Sequence, residues 1–166
     1  MSVYVVDSNF FIQAHRANYP LDIAHSFWNK VRQLANDYKI ISIDKVKNEI
    51  YQNEDVLKEW CVDNLPSEFF KDTSQSINSY SHIATWATSQ GSHYLPNALA
   101  EFLSADEADA YLVAYALDDT SNRIIVTQEI SEPNRRNKIK IPDVCNALNV
   151  QYVNVIDMFR QLNETF

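Results

Sequence analysis

The sequence predicts an α/β fold, a three-layer α/β/α sandwich with a central parallel sheet, and two observations carry that prediction. Val3-Tyr4-Val5-Val6 and Arg123-Ile124-Ile125-Val126-Thr127 are short, non-alternating runs rich in β-branched residues, as strands covered on both faces require. Between and after such runs the apolar residues recur at helical spacing, and strands that alternate with helices specify parallel pairing with right-handed crossovers. Every strand's carboxyl end then lies along one edge of the sheet, which is where open α/β sheets bind ligands.

The first run stops at Asp7 and is followed by Ser8-Asn9-Phe10-Phe11. Asp7 either marks a site at a central strand's end or, with Ser8 or Asn9, caps the next helix. From Leu21 to Tyr38, Ile23, Phe27, Val31 and Leu34 share a helical stripe, with Trp28 beside them and Pro20 suited to the first turn. Lys39 to Ile43 reads as a second strand. Asp44 is the expected N-cap of a helix carrying Val46, Glu49 and Ile50. A helical stretch over 54–64, through Val56, Leu57 and Trp60, breaks at Leu65-Pro66.

Residues 67–96 are the least informative. Ile77, Tyr80, Ile83, Ala84 and Ala87 keep a helical spacing, and 88–96 reads as a loop. Ser104-Ala105-Asp106-Glu107 matches a capping box and predicts a largely buried helix over 105–117 with Asp109 in its first two turns. After the strand at 123–127 come a polar loop at 130–140, a short helix at 142–148, a last strand at 151–155 and a closing helix at 156–162.

The 166 residues suit a single domain spanning 1–166, and a composition of 46% hydrophobic and 22% charged residues is that of an ordinary globular protein. No apolar run approaches the roughly 20 residues needed to span a bilayer, so no membrane association is expected. The start has no basic segment leading into a long apolar core, so no secretory signal is expected either. Cys61 and Cys145 lie far apart and outside any Cys-x-x-Cys spacing, which points to reduced, buried thiols in a cytoplasmic protein.

A net charge of -8 disfavours a general basic nucleic-acid grip but suits an enzyme that gathers carboxylates around a cation. Five of the basic residues, Arg123, Arg135, Arg136, Lys138 and Lys140, fall between 123 and 140 against Glu129 and Glu132. That segment is +3, leaving -11 elsewhere.

Three acids converge on the carboxyl edge of the predicted sheet: Asp7 ends the first strand, Glu129 follows the strand at 123–127, and Asp109 lies near the start of a helix that returns along the sheet. Glu49, beside Ile50, can be aimed at the same edge. Each acid has an ordinary role available to it, in a cap, a helix dipole or a solvated loop. Together they repel, raise one another's pKa and call for a cation. Oxygen donors without a His or Cys cluster point to Mg²⁺ or Mn²⁺. His15, His25, His82 and His93 lack metal-ligand spacing and are expected to be packing or surface residues.

These residues resemble the PIN-domain ribonucleases, including the VapC-type toxins, over nearly the whole chain. Val5-Val6-Asp7-Ser8-Asn9, Val46-Lys47-Asn48-Glu49-Ile50, Asp109-Ala110-Tyr111-Leu112-Val113-Ala114 and Ile125-Val126-Thr127-Gln128-Glu129 are similar to the family's four acidic motifs, in order. The segment Lys138-Ile139-Lys140-Ile141-Pro142-Asp143-Val144-Cys145 is similar to the tail of a bacterial PIN-like family without assigned function. The fourth motif usually ends in Asp, so Glu129 is a departure, and Asp106 and Asp143 are acids placed to substitute or assist.

The resemblance implies strand order 3-2-1-4-5 and metal-dependent cleavage of RNA, with Asp7, Glu49, Asp109 and Glu129 holding Mg²⁺ or Mn²⁺. Ser8, Asn9 and Thr127 would orient those ligands. Arg135, Arg136, Lys138 and Lys140 either contact RNA phosphates or belong to a simple connector. An antitoxin protein and a homodimer are implied as partners. Two other readings stay open: a non-catalytic PIN-like domain binding RNA or protein, and an aspartyl-phosphate phosphatase, which would want an Asp where Asn9 stands.

Overall fold

A computed structural model describes residues 1–166. Five parallel strands form the sheet: β1 (Val3–Val6), β2 (Ile40–Ile43), β3 (Phe70–Lys71), β4 (Arg123–Val126) and β5 (Tyr152–Val153). Their order is β3-β2-β1-β4-β5, with β1 at the centre. β1 pairs with β4 from Val3↔Arg123 to Val6↔Val126 and with β2 at Tyr4↔Ile40 and Val5↔Ile41. Val5, Val6, Ile40, Ile43, Ile125 and Val126 are fully enclosed, as both-face coverage of the non-alternating runs demands.

The helices are α1 (Ser8–Gln13), α2 (His25–Asn36), α3 (Asp44–Tyr51), α4 (Val56–Asn64), α5 (Ile77–Ser89), α6 (Pro96–Phe102), α7 (Ala108–Leu117), α8 (Ile141–Leu148) and α9 (Val155–Leu162). From β1 the chain first steps outward through β2 to β3, then crosses back to β4 and β5. Right-handed crossovers therefore place α2 and α4 on one face and α5, α7 and α8 on the other. On the first face Phe11 stacks on Trp28, Trp28 meets Trp60 edge-on, and Phe27 meets Phe159 of α9. On the second, α7 lies against β2 and β4 and is covered by α5 and α8. α7 is apolar nearly all round because it is enclosed nearly all round.

Several elements depart from the sequence expectations. Ile23 lies outside α2 and is 74% exposed, because Pro20 starts a tight turn that accepts from the Ile23 and Ala24 N–H groups. Asp44 is the first residue of α3 and not its cap. Its carboxylate instead accepts from the Thr73 backbone N–H and hydroxyl, tying α3 to the chain leaving β3. β3 arises inside the stretch that offered little signal, and α6 follows directly after it, where no element was expected. The capping box forms a turn, so α7 begins at Ala108 and Asp106 lies outside it. A π-helical turn, Ala14–Asn18, extends α1.

Cys61 and Cys145 are free and buried, and burial pushes both thiols up to about 12. No helix is long and apolar enough to cross a membrane.

The packing can be tested at two positions. Phe11→Ala, in the enclosed aromatic layer, should cost about 3–5 kcal/mol of unfolding free energy. Val56→Ala, at an exposed site, should stay within about 0.5 kcal/mol of wild type in the same urea titrations.

Candidate functional site

Helices antiparallel to the strands begin where the strands end, so the N-termini of α1, α3, α7 and α8 all lie at the carboxyl edge of the sheet. Asp7 continues β1, its N–H reaching the Val126 carbonyl, and its side chain caps α1 by accepting from the Phe10 N–H at 2.9 Å. Asp7 therefore both follows the end of the central strand and caps the next helix. It is 4% exposed, and burial pushes its pKa up to about 7. Hydrogen bonds from Thr127 and Phe10 oppose that rise, while the charges of Glu129 and Glu49 add to it.

Asp109 is the second residue of α7 and half-buried. Desolvation lifts its pKa well above the ordinary carboxylate range, and Glu129, Glu107, Asp7 and Glu49 push it further, in that order. Glu49 is half-buried between Val46 and Ile50 on α3, a helix that packs against both α1 and α7. The four acids expected from the sequence thus share one electrostatic neighbourhood.

Glu107 is a fifth member that the sequence reading missed. It is the N-cap of α7, accepting from the Asp109 N–H at 3.4 Å, and its pKa is raised by desolvation and by Glu49 and Glu101. The signal was present in the capping-box match, but that pattern assigned Glu107 to the third position inside a helix that actually starts after it.

Glu129 is strongly engaged within the chain. Its N–H donates to Thr127 Oγ1 at 3.1 Å, one carboxylate oxygen accepts from the Ile141 N–H at the start of α8 at 2.7 Å, and the other lies 3.9 Å from Lys138 Nζ. These partners hold its carboxylate at α8, and no three His, Cys, Asp or Glu side chains converge closely enough to grip an ion. The expected four-carboxylate set is therefore a field of repelling charges rather than a closed cage.

Of the extra acids, Asp106 is exposed, whereas Asp143 is buried and accepts from the Ser131 hydroxyl and the Glu132 N–H at 3.1 Å. Asp143 anchors the loop after β4 and has no share in the acid field. Thr127, 2% exposed, lies beside the Asp7 carboxylate, whose pKa it lowers, and accepts from the Glu129 N–H. Ser8 is half-buried in the first turn of α1, and Asn9 is exposed.

The basic loop is largely spent on the chain itself. Lys140 and Arg135 each reach Glu132 at 3.5 Å, and Arg136 Nε donates to the His93 carbonyl at 2.8 Å. Lys138 lies near Glu129, and of the four only Arg136 is exposed and without an acidic partner.

These features define an α/β sandwich with an acid-lined carboxyl edge. Residues 4–166 match the family described as a domain of unknown function (DUF4411), and the chain belongs to that family. No curated protein and no solved structure matches it.

The buried acid sets a pH dependence. In the unfolded chain Asp7 titrates near 3.8, below its folded value of about 7, so the folded state holds the extra proton between those limits. Its contribution is fully present below about pH 4 and is lost as pH rises toward 7, at up to about 1.4 kcal/mol per pH unit. In metal-free buffer Asp7→Asn should therefore be more stable than wild type at pH 8 and lose that advantage by pH 4. Urea midpoints at pH 4, 6 and 8 check this, and parallel pH profiles would show that Asp7 is not buried as a charge.

Proposed function

We propose that this protein is a metal-dependent ribonuclease of the PIN-like type, with Asp7, Glu49, Asp109 and Glu129 as its metal-holding residues. The observation that carries the reading is the gathering of carboxylates at the poorly hydrated carboxyl edge, where desolvation lifts Asp7 and Asp109 and the charges of Glu129 and Glu49 add to the rise. Such an arrangement weakens the fold unless a cation neutralises it. The donors are all oxygen, the chemistry preferred by Mg²⁺ and Mn²⁺. Either ion, when bound, supplies Lewis acidity that lowers the pKa of a water and steadies the leaving oxygen of a phosphodiester.

The remaining work belongs to the chain. The Phe10 N–H holds the Asp7 carboxylate in place, Thr127 lies beside it and favours its charged form, and Thr127 also accepts from the backbone N–H of Glu129. The start of α7 positions Asp109, and Glu107 adds negative charge beside it. Arg136, and Arg135 on release from Glu132, would meet backbone phosphates; Lys138 and Lys140 are paired with Glu129 and Glu132. An antitoxin protein and a homodimer belong to this proposal only through the resemblance to VapC-type toxins.

One observation favours a second reading, a PIN-like domain that binds RNA or protein without cutting. Glu129, the expected fourth acid, is already satisfied by Ile141 and Lys138.

Metal and stability separate the two readings. Millimolar Mn²⁺ should raise the melting temperature with concentration, as binding to the folded state alone requires, and Asp7→Asn should abolish the shift. A melting temperature indifferent to Mn²⁺ would favour the non-catalytic reading.

Activity tests the site assignment. Asp109→Asn should lower Mn²⁺-dependent cleavage of a labelled RNA by about 100-fold or more with the fold intact, the scale of losing a charge-stabilising group. Asp106→Asn, exposed and outside α7, should leave most of it. Loss at Asp106 with retention at Asp109 would assign the site to the wrong acid.

A further inference from the structure

We infer that the groove between α1 and the loop after β4 reads the bases of single-stranded RNA, an inference that rests on the nuclease reading above for the identity of the polymer. The groove encloses about 430 Å³, with Asn9, Gln13 and Asn18 on one wall and Gln128, Glu129 and Ile130 on the other. Asn9, Gln13, Asn18 and Gln128 are all exposed. The hydrogen bonds of this region run through Asp7, Thr127 and Glu129 and leave the four carboxamides unengaged.

The lining selects the ligand. The one cation facing the groove, Lys140, is paired with Glu132, and two carboxylates line the same wall, so a free phosphate finds no counter-charge there. Each carboxamide instead offers two N–H donors beside an acceptor oxygen. Base edges present donors and acceptors side by side, and Asn and Gln match them with paired hydrogen bonds. Unstacked bases of single-stranded RNA expose those edges, whereas a paired helix does not. Ile130, 75% exposed, adds an apolar surface that the face of a base can cover.

Position links the groove to the acids. Asn9 lies two residues after Asp7, and Glu129 belongs both to the groove and to the acid field. A base held by the carboxamides is therefore next to a phosphate at the acids, and the groove sets which nucleotide flanks the cut.

Four labelled RNA hexamers, each of a single base, should be titrated with the full chain in EDTA and followed by fluorescence anisotropy. The chain should favour one hexamer over the weakest by roughly tenfold or more, the discrimination that one paired contact supplies, and Gln13→Ala/Gln128→Ala should shrink that spread to about twofold. Both residues are exposed, so the variant keeps its fold, and Asn18→Ala provides an independent second variant with the same expected loss of discrimination. Equal binding of all four hexamers, no binding of any, or discrimination retained in both variants would overturn the groove's role. Cleavage in Mn²⁺ with no base preference would also overturn it while leaving the nuclease standing. Base-selective binding by a chain that cuts nothing would keep the groove and remove the nuclease.

Discussion

The structure depends on holding like charges together in a poorly hydrated place. Three carboxylates at the carboxyl edge each accept from the first turn of a different helix: Asp7 from Phe10 in α1, Glu107 from Asp109 in α7, and Glu129 from Ile141 in α8. A helix N-terminus carries unsatisfied N–H groups and the positive end of the dipole, worth about 0.3–1 kcal/mol to an exposed anion and up to about 2 when partly buried. Parallel strands joined by helices bring those N-termini to one edge, so the same topology that gathers the acids supplies part of what offsets their repulsion. The offset is partial, since burial still lifts Asp7 to about 7.

The polar loop after β4 completes this arrangement. Asp143 pins Ser131 and Glu132, Glu132 pairs with Arg135 and Lys140, and Lys138 reaches back to Glu129. A segment that is +3 by sequence therefore spends much of its charge on neighbouring acids. Its course also forms one wall of the groove lined by Asn9, Gln13, Asn18 and Gln128, so a single loop holds Glu129 on one side and lines that groove on the other.

The opposite face explains why the edge can tolerate such strain. Phe11, Phe27, Trp28 and Phe159 form a continuous aromatic layer under β1, and the first residues of α1 contribute both to that layer and to the cap on Asp7. Burial of large aromatic surfaces is the main favourable contribution available to a chain of this size. The acids are thus fixed by helices whose far sides are anchored in the core.

Periodicity and β-branched runs determined the sandwich, the central strand, the buried helix α7 and the acids Asp7, Glu49, Asp109 and Glu129, because both-face burial and helical spacing leave marks on neighbouring residues. Two-residue β3 and seven-residue α6 left none: each is too short to show a period and exists through its partners, β3 by pairing with β2 and α6 by packing Ala98 and Phe102 into the core. The start of α7 was misplaced by three residues because Ser104 and Glu107 satisfy a capping-box pattern that the folded chain uses as a turn. What only the tertiary structure decided was which charges are shared. Glu107 joins the acid field, Asp143 leaves it for the loop, and the loop's lysines turn inward, since these choices rest on contacts between residues far apart in sequence that no local pattern records.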